Sequence, residues 1–192
     1  MSRLYLVRHG ESVWNAARRL QGQADPDLSP RGEDQARALA TALPPHLPRD
    51  AICSDLRRAS RTAALLGLEA HPDLRWREIG VGEWEGQNTD DLRTRDPACW
   101  RAWRAGDFTP PGGESGEAFR DRLSDALSTL AGDALVVTHG GVVRAVTSMI
   151  LDLPSDRLAP VPPASITILD RSQWPRLRGY GLTADLSRDT PD

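Results

Sequence analysis

At 192 residues and 21.0 kDa, the chain suits one domain of ordinary size, large enough to bury a core without disulfides or metals. Its 39% hydrophobic and 27% charged residues set it apart from disordered, fibrous and membrane-embedded chains, and no apolar run nears the roughly 20 residues of a membrane span. A net charge of -3 supplies no whole-molecule attraction for nucleic acid or anionic lipid. All 24 basic residues are Arg, so Lys Schiff bases, Lys general bases and the P-loop Lys are excluded, and an anion must be gripped by Arg, His or backbone N–H. Cys53 and Cys99 lack the CxxC spacing of zinc or redox sites and read as reduced thiols. The opening MSRLYLVRHG reaches a charged pair before a signal-peptide core could form, which predicts a cytoplasmic protein.

In chain order, Leu4 to Val7 is a short apolar strand that stops at Arg8, His9 and Gly10. Ser12 opens a predicted helix through about Leu20. Ser29, Pro30 and Glu33 have the features of a helix start, and Ala36, Leu39, Ala40 and Leu43 follow at helical spacing until Pro44, Pro45 and Pro48 end the run. Ala51 to Cys53 reads as a strand handing over to a helix from about Leu56 to Leu66. From His71 to Gly113 the chain is rich in Gly, Pro and Trp, an excursion over the sheet with helical patterns at Asp90 to Arg95 and Pro97 to Arg104. Phe119, Leu123, Ala126, Leu127 and Leu130 share one face of a predicted helix from Ser115 to Leu130. Ala134 to Val137 is a buried-type strand, Val142 to Leu151 a helix, Ser165 to Leu169 a strand, and the tail from Ser187 is expected to be loose.

Alternating strands and helices predict an α/β fold, three layers (α/β/α) with a mostly parallel central sheet, as a single domain over residues 1–192 with the excursion at about 71–113 above the site. Ligands of such sheets bind outside the carboxyl ends of the strands. Three loops there carry Arg8 with His9, Arg57 with Arg58, and His139 with Gly140 and Gly141. Two histidines and two arginines with glycine turns and helix N-termini make a pocket for a tetrahedral dianion, with phosphate the obvious occupant. A neutral imidazole can attack phosphorus at neutral pH without a separate base, giving a phosphohistidine.

LVRHGESVWN (Leu6 to Asn15) resembles the RHG signature of the histidine phosphatase superfamily, also called phosphoglycerate mutase-like. CSDLRRASRTA (Cys53 to Ala63), LRWREIGVGEWEG (Leu74 to Gly86) and VTHGGVVR (Val137 to Arg144) resemble its later blocks, in family order. The resemblance implies His9 as nucleophile, with Arg8, Arg58 and His139 completing the phosphate pocket. Glu78 matches the acid that protonates the leaving oxygen and then activates water, with Glu83 and Glu85 weighed lower. Asn15, Gln21, Gly22 and Gly140 match substrate-binding positions. Because Glu78 must carry its proton in the first step, activity is expected to be best at mildly acidic to neutral pH.

The implied activity is that of a metal-independent phosphatase of the small bacterial type, acting on a small-molecule phosphate monoester, with no metal, no cofactor and no nucleic-acid or membrane partner. The alternatives are a cofactor-dependent phosphoglycerate mutase, for which the chain is short and lacks the Lys typical of mutase substrate binding, and a non-catalytic phospho-ligand-binding protein of the same fold. A homodimer is compatible with the sequence. His46 and His71 read as surface residues in Pro-bearing loops. Arg57 and Arg61 read as helix-surface charges, while Arg18 and Arg19 either solvate a face or extend a positive rim. Trp76, Trp84, Trp100, Trp103 and Phe108 read as a satellite core packing the excursion down, with a competing reading that puts Trp100, Trp103 or Phe108 at the substrate entrance. PPGGES (Pro110 to Ser115) reads as a turn plus a helix start capped by Ser115, and Cys53 as a filler of the core near the site.

Overall fold

The computed structural model describes residues 2–44 and 46–184, so Pro45 and the tail from Ser187 lie outside the described residues. Strands β1 (Arg3–Arg8), β2 (Asp50–Cys53), β3 (Glu69–Pro72), β4 (Ala134–Thr138), β5 (Ile166–Asp170) and β6 (Arg176–Leu182) form one sheet in the order β3-β2-β4-β1-β5-β6. The first four strands run parallel, and β5 is antiparallel to both β1 and β6. The sheet is therefore mostly parallel, as alternation of strand and helix predicts.

The period of two along β1 builds both faces. Tyr5 and Val7 point to a core shared with Leu39 of α2 (Pro30–Ala42) and with Ala59 and Ala63 of α3 (Arg57–Leu65). Leu4 and Leu6 point to the opposite core, with Phe119 and Leu123 of α6 (Gly116–Ser128) and Val142, Val143 and Val146 of α7 (Gly140–Leu151). Three layers result.

Ser29 caps α2 by accepting from the Gly32 N–H, and Ser115 caps α6 through the Ala118 N–H, as their sequence signatures imply. The helix expected from Ser12 to Leu20 is shorter. After α1 (Val13–Ala16), Arg18 takes a left-handed φ of 53°, and Leu20 donates its N–H to the Gln87 carbonyl, so tertiary pairing with the excursion ends the helix. Helix α7 begins two residues earlier than expected, at Gly140, because its two glycines are helical where the backbone must pass close to Arg8 and Glu78. Two strands escape sequence patterning. β3 reads EAHP and β6 reads RLRGYGL, and both are edge strands poor in the apolar alternation that marks a strand. His71 consequently sits in β3 rather than in a loop, although it is exposed as expected and pairs with Asp50 at 2.9 Å.

Between β3 and α6 the chain carries α4 (Thr89–Arg95) and α5 (Pro97–Ala105), at the helical patterns read from sequence. Trp84 packs on Trp100, Trp103 and Phe108, with ring centroids 5.6 to 6.2 Å away, and joins them to Val81 and Leu92 in a small core. Trp76 departs from the expected satellite cluster. It is fully buried in the main core against α6 and α7. No described helix is long and apolar enough to cross a membrane.

Candidate active site

The carboxyl ends of β1, β2 and β4 converge on one cavity of about 460 Å³. Arg8, His9, Asn15, Gln21, Gly22, Arg58, Glu78 and Gly140 all line it. His139 lies behind this wall. It is fully buried, with its ring edge-on to His9 at a centroid distance of 5.2 Å.

His9 follows β1 directly, its N–H bonded to the Thr138 carbonyl of β4 and its own carbonyl accepting from Ala164. The Nδ1 atom stands 2.6 Å from the Gly10 carbonyl, which can only accept, so Nδ1 carries the proton and Nε2 keeps a free lone pair. Burial first, then Arg58 and Arg8, push the His9 pKa well below 6.5, so the ring is neutral at neutral pH. Gly10 is required by packing. An added Cβ would stand 2.3 Å from the Gly32 carbonyl oxygen at the start of α2. This backbone contact seats the loop after β1 on that helix.

Arg8 is held by the Val161 carbonyl, and its Nε has no partner. Arg58, in the first turn of α3, is fully buried and donates to the carbonyls of Ala24 (2.6 Å) and Gly22 (2.8 Å), again leaving Nε unpartnered. Desolvation brings its pKa down to about 10, which leaves the guanidinium charged at neutral pH. The loop that supplies those carbonyls is held in turn by Glu85, whose Oε1 accepts from the Gln23 and Ala24 N–H groups. Glu85 is therefore a scaffold for Arg58, and it does not line the cavity; nor does the exposed Glu83. Gln21 and Asn15 both spend their side-chain oxygens on Ser12, which leaves their NH2 groups as donors.

Glu78 reaches the cavity from the segment after β3, and its two oxygens accept from the N–H groups of Ile79 (3.0 Å) and Gly141 (2.9 Å). The segment is anchored on both sides. The Trp76 carbonyl accepts from Thr138 Oγ1 at 2.7 Å, while Arg122 of α6 donates to the carbonyls of Arg75 and Arg77 and pairs with Glu114. Glycine at 141 lets Glu78 keep this position, since a Cβ would stand 2.2 Å from Glu78 Oε1 and push the carboxylate aside.

Sequence reasoning missed four groups here. Thr62 Oγ1 accepts from the Gly10 N–H, Ser54 Oγ lies 2.8 Å from His139 Nε2, Arg122 braces the acid-bearing segment, and Arg144 lines the cavity with Nη1 unpartnered. All but Arg122 sit inside the blocks already singled out, and Arg144 follows Gly140 by one helical turn, so spacing alone could have flagged it. Arg18 and Arg19, left undecided by sequence, line the cavity, as does Trp103; Trp100 and Phe108 do not. Arg57 and Arg61 are surface charges paired with Asp25, Asp27 and Glu33. Cys53 is buried in the core beneath the site. Among the described residues, no group of three or more His, Cys, Asp or Glu side chains is placed to hold a metal ion.

Two charged guanidiniums, a neutral imidazole and the uncapped N-terminus of α7 around one small space suit a tetrahedral oxyanion. The sequence profile of the histidine phosphatase superfamily (branch 1) matches residues 4–176. The chain belongs to that superfamily. This histidine phosphatase is 36% identical to the glucosyl-3-phosphoglycerate phosphatase of Mycolicibacterium vanbaalenii, over 93% of the chain and 80% of the relative. It is also 36% identical to the probable phosphoglycerate mutase GpmB of Serratia proteamaculans, over 92% and 88% of the two chains. Among solved structures, the mycobacterial glucosyl-3-phosphoglycerate phosphatase in complex with VO3 superposes with a TM-score of 0.84 at 31% identity, covering 95% of this chain and 100% of that one. The phosphoglycerate mutase of Thermus thermophilus gives a TM-score of 0.79 at 42% identity, covering 93% and 97%. Chain length alone therefore does not separate a phosphatase from a mutase.

Proposed function

We propose that this chain is a metal-independent phosphatase that hydrolyses a small-molecule phosphate monoester through a phosphohistidine on His9. The observation that carries the reading is the His9 ring: neutral, with Nδ1 donating to the Gly10 carbonyl, Nε2 free, and Arg58 and Arg8 close by. In the first step the Nε2 lone pair attacks phosphorus in line while the bond to the leaving oxygen breaks, and Glu78 gives that oxygen a proton. The imidazole gains positive character as the P–N bond forms, and its Nδ1–H donation to a carbonyl strengthens accordingly. Arg8, Arg58 and the α7 N-terminus offset the phosphoryl charge. In the second step the Glu78 carboxylate takes a proton from water, whose oxygen displaces Nε2 and releases inorganic phosphate. Asn15, Gln21, Gly22 and Gly140 border the phosphoryl group, and His139 lies behind it.

Beyond the phosphate pocket the cavity continues past Trp103, Arg104, Phe119, Arg120 and Arg144, and this part receives the leaving group. Phosphatase-named relatives support the hydrolytic outcome, and the absence of Lys weighs against the mutase.

The test is a panel of monoesters, including phosphoglycerates, sugar phosphates and ribazole phosphate, with release of inorganic phosphate followed in the presence of EDTA. The wild-type protein is expected to release phosphate undiminished by the chelator. His9→Ala is expected to lose turnover, and rapid quenching of the wild type to trap acid-labile phosphate on His9. Interconversion of 3- and 2-phosphoglycerate without net hydrolysis would assign the chain to the mutases instead.

A further inference from the structure

We infer that Ser54, a residue that does not line the cavity, sets the tautomer of His139 so that its Nδ1 is an N–H donor facing His9 and the phosphoryl group bound there. The inference rests on the phosphatase reading above, and it deepens it by one positioning residue.

His139 is sealed in the wall, and only one of its two ring nitrogens has a protein partner. Nε2 stands 2.8 Å from Ser54 Oγ, while Nδ1 has none. Burial, with Arg58, His9, Arg8 and Arg122 nearby, holds the ring neutral, so one nitrogen bears a proton and the other a lone pair. The choice falls to Ser54, which is itself fully buried at the end of β2. Its Oγ accepts from the Leu56 N–H at 3.4 Å, the turn that starts α3. That contact uses one of its two lone pairs, and among the described residues the hydroxyl proton has one acceptor in reach, His139 Nε2.

The opposite arrangement fails twice. If Nε2 carried the proton and donated to Ser54, the serine O–H would be a buried donor with nowhere to go, and its lost hydration would go uncompensated. The bare Nδ1 lone pair would also confront the charge of a phosphate dianion. With the proton on Nδ1, the Leu56 N–H, the Ser54 hydroxyl and His139 Nε2 are all satisfied, and the Nδ1 N–H alone is left over as a donor for the phosphoryl group on the neighbouring His9. His9 and His139 then share a tautomer and use it oppositely. His9 hides its Nδ1–H on Gly10 and shows a lone pair, and His139 hides its lone pair on Ser54 and shows an N–H.

Side-chain nitrogen NMR of the full chain with 15N-labelled histidine tests this directly, with His139 assigned by loss of its signals in His139→Gln. The expected spectrum at pH 7.5 shows His139 protonated at Nδ1 and bare at Nε2, and orthovanadate shifts the Nδ1 signal more than the Nε2 signal. Ser54→Ala is expected to mix the tautomers and to lower kcat roughly 10²-fold, with KM changing less. Ser54→Thr, which keeps the hydroxyl, should recover most of that loss. A proton on Nε2 in the wild type overturns the inference. So does Ser54→Ala with kcat within about twofold of the wild type. Were the wild type to turn over no monoester, the phosphatase reading would fall while the tautomer spectrum still decided the role of Ser54.

Discussion

In the proposed cycle Glu78 acts as an acid in one step and as a base in the next, so its removal should divide the two. Glu78→Gln keeps the shape but only one of the two contacts to the Ile79 and Gly141 N–H groups, since its NH2 cannot accept, and it cannot exchange a proton. It is expected to lower kcat by about 10²–10⁴-fold for an alkyl phosphate. For an aryl phosphate with an acidic leaving group the first step is largely spared, so rapid quenching should find the phosphohistidine accumulating rather than disappearing. The two buried histidines also leave a mark on stability. His9 and His139 are held neutral in the folded chain, their pKa values pushed well below the usual 6.5. The unfolded chain takes up protons there as the pH falls below about 6.5, and the folded chain does not. These residues should thus leave stability flat above that pH and reduce it below, by up to about 2.7 kcal/mol per pH unit for the pair. Urea melts between pH 7.5 and 5 measure the slope, and His139→Gln is expected to halve the part the histidines cause.

Helix α7 does two jobs with its first turn, offering uncapped N–H groups to the phosphate pocket and holding the Glu78 carboxylate through Gly141. Gly141→Ala should therefore separate folding from activity. The backbone there needs no left-handed φ, so the melting temperature is expected to stay near that of the wild type, whereas the new methyl group displaces Glu78 and lowers kcat by about 10²-fold. The elements that carry the site were legible in the sequence because each pairs a clear pattern with its own punctuation: apolar Leu4 to Val7 before the RHG turn, Ser29 and Pro30 at a capped start, Ala134 to Val137 before His139. What stayed hidden depends on contacts across the fold. Nothing local in EAHP or RLRGYGL marks a strand until a neighbouring strand supplies the pairing. Likewise α1 stops short because the excursion captures Leu20, and Ser54 acquires its meaning from a histidine 85 residues away.

Over the whole molecule, a net charge of -3 conceals a cavity whose lining holds Arg8, Arg18, Arg19, Arg58, Arg104, Arg120 and Arg144 against the single carboxylate of Glu78. Such a cleft focuses its field on an incoming dianion. Raising the salt concentration from about 50 to about 500 mM sodium chloride is expected to lower kcat/KM severalfold by screening that field while leaving kcat nearly constant, which a steady-state series will show. The bond from Thr138 to the Trp76 carbonyl reaches further than its one hydrogen suggests. It couples the acid-bearing segment to the strand that ends at His139, so these groups ride on a single chassis, while α5, glued down by the Trp84 cluster, brings Trp103 and Arg104 to the cavity. A lineage can thus redecorate the α5 side of that cavity without retuning the machinery that breaks the bond.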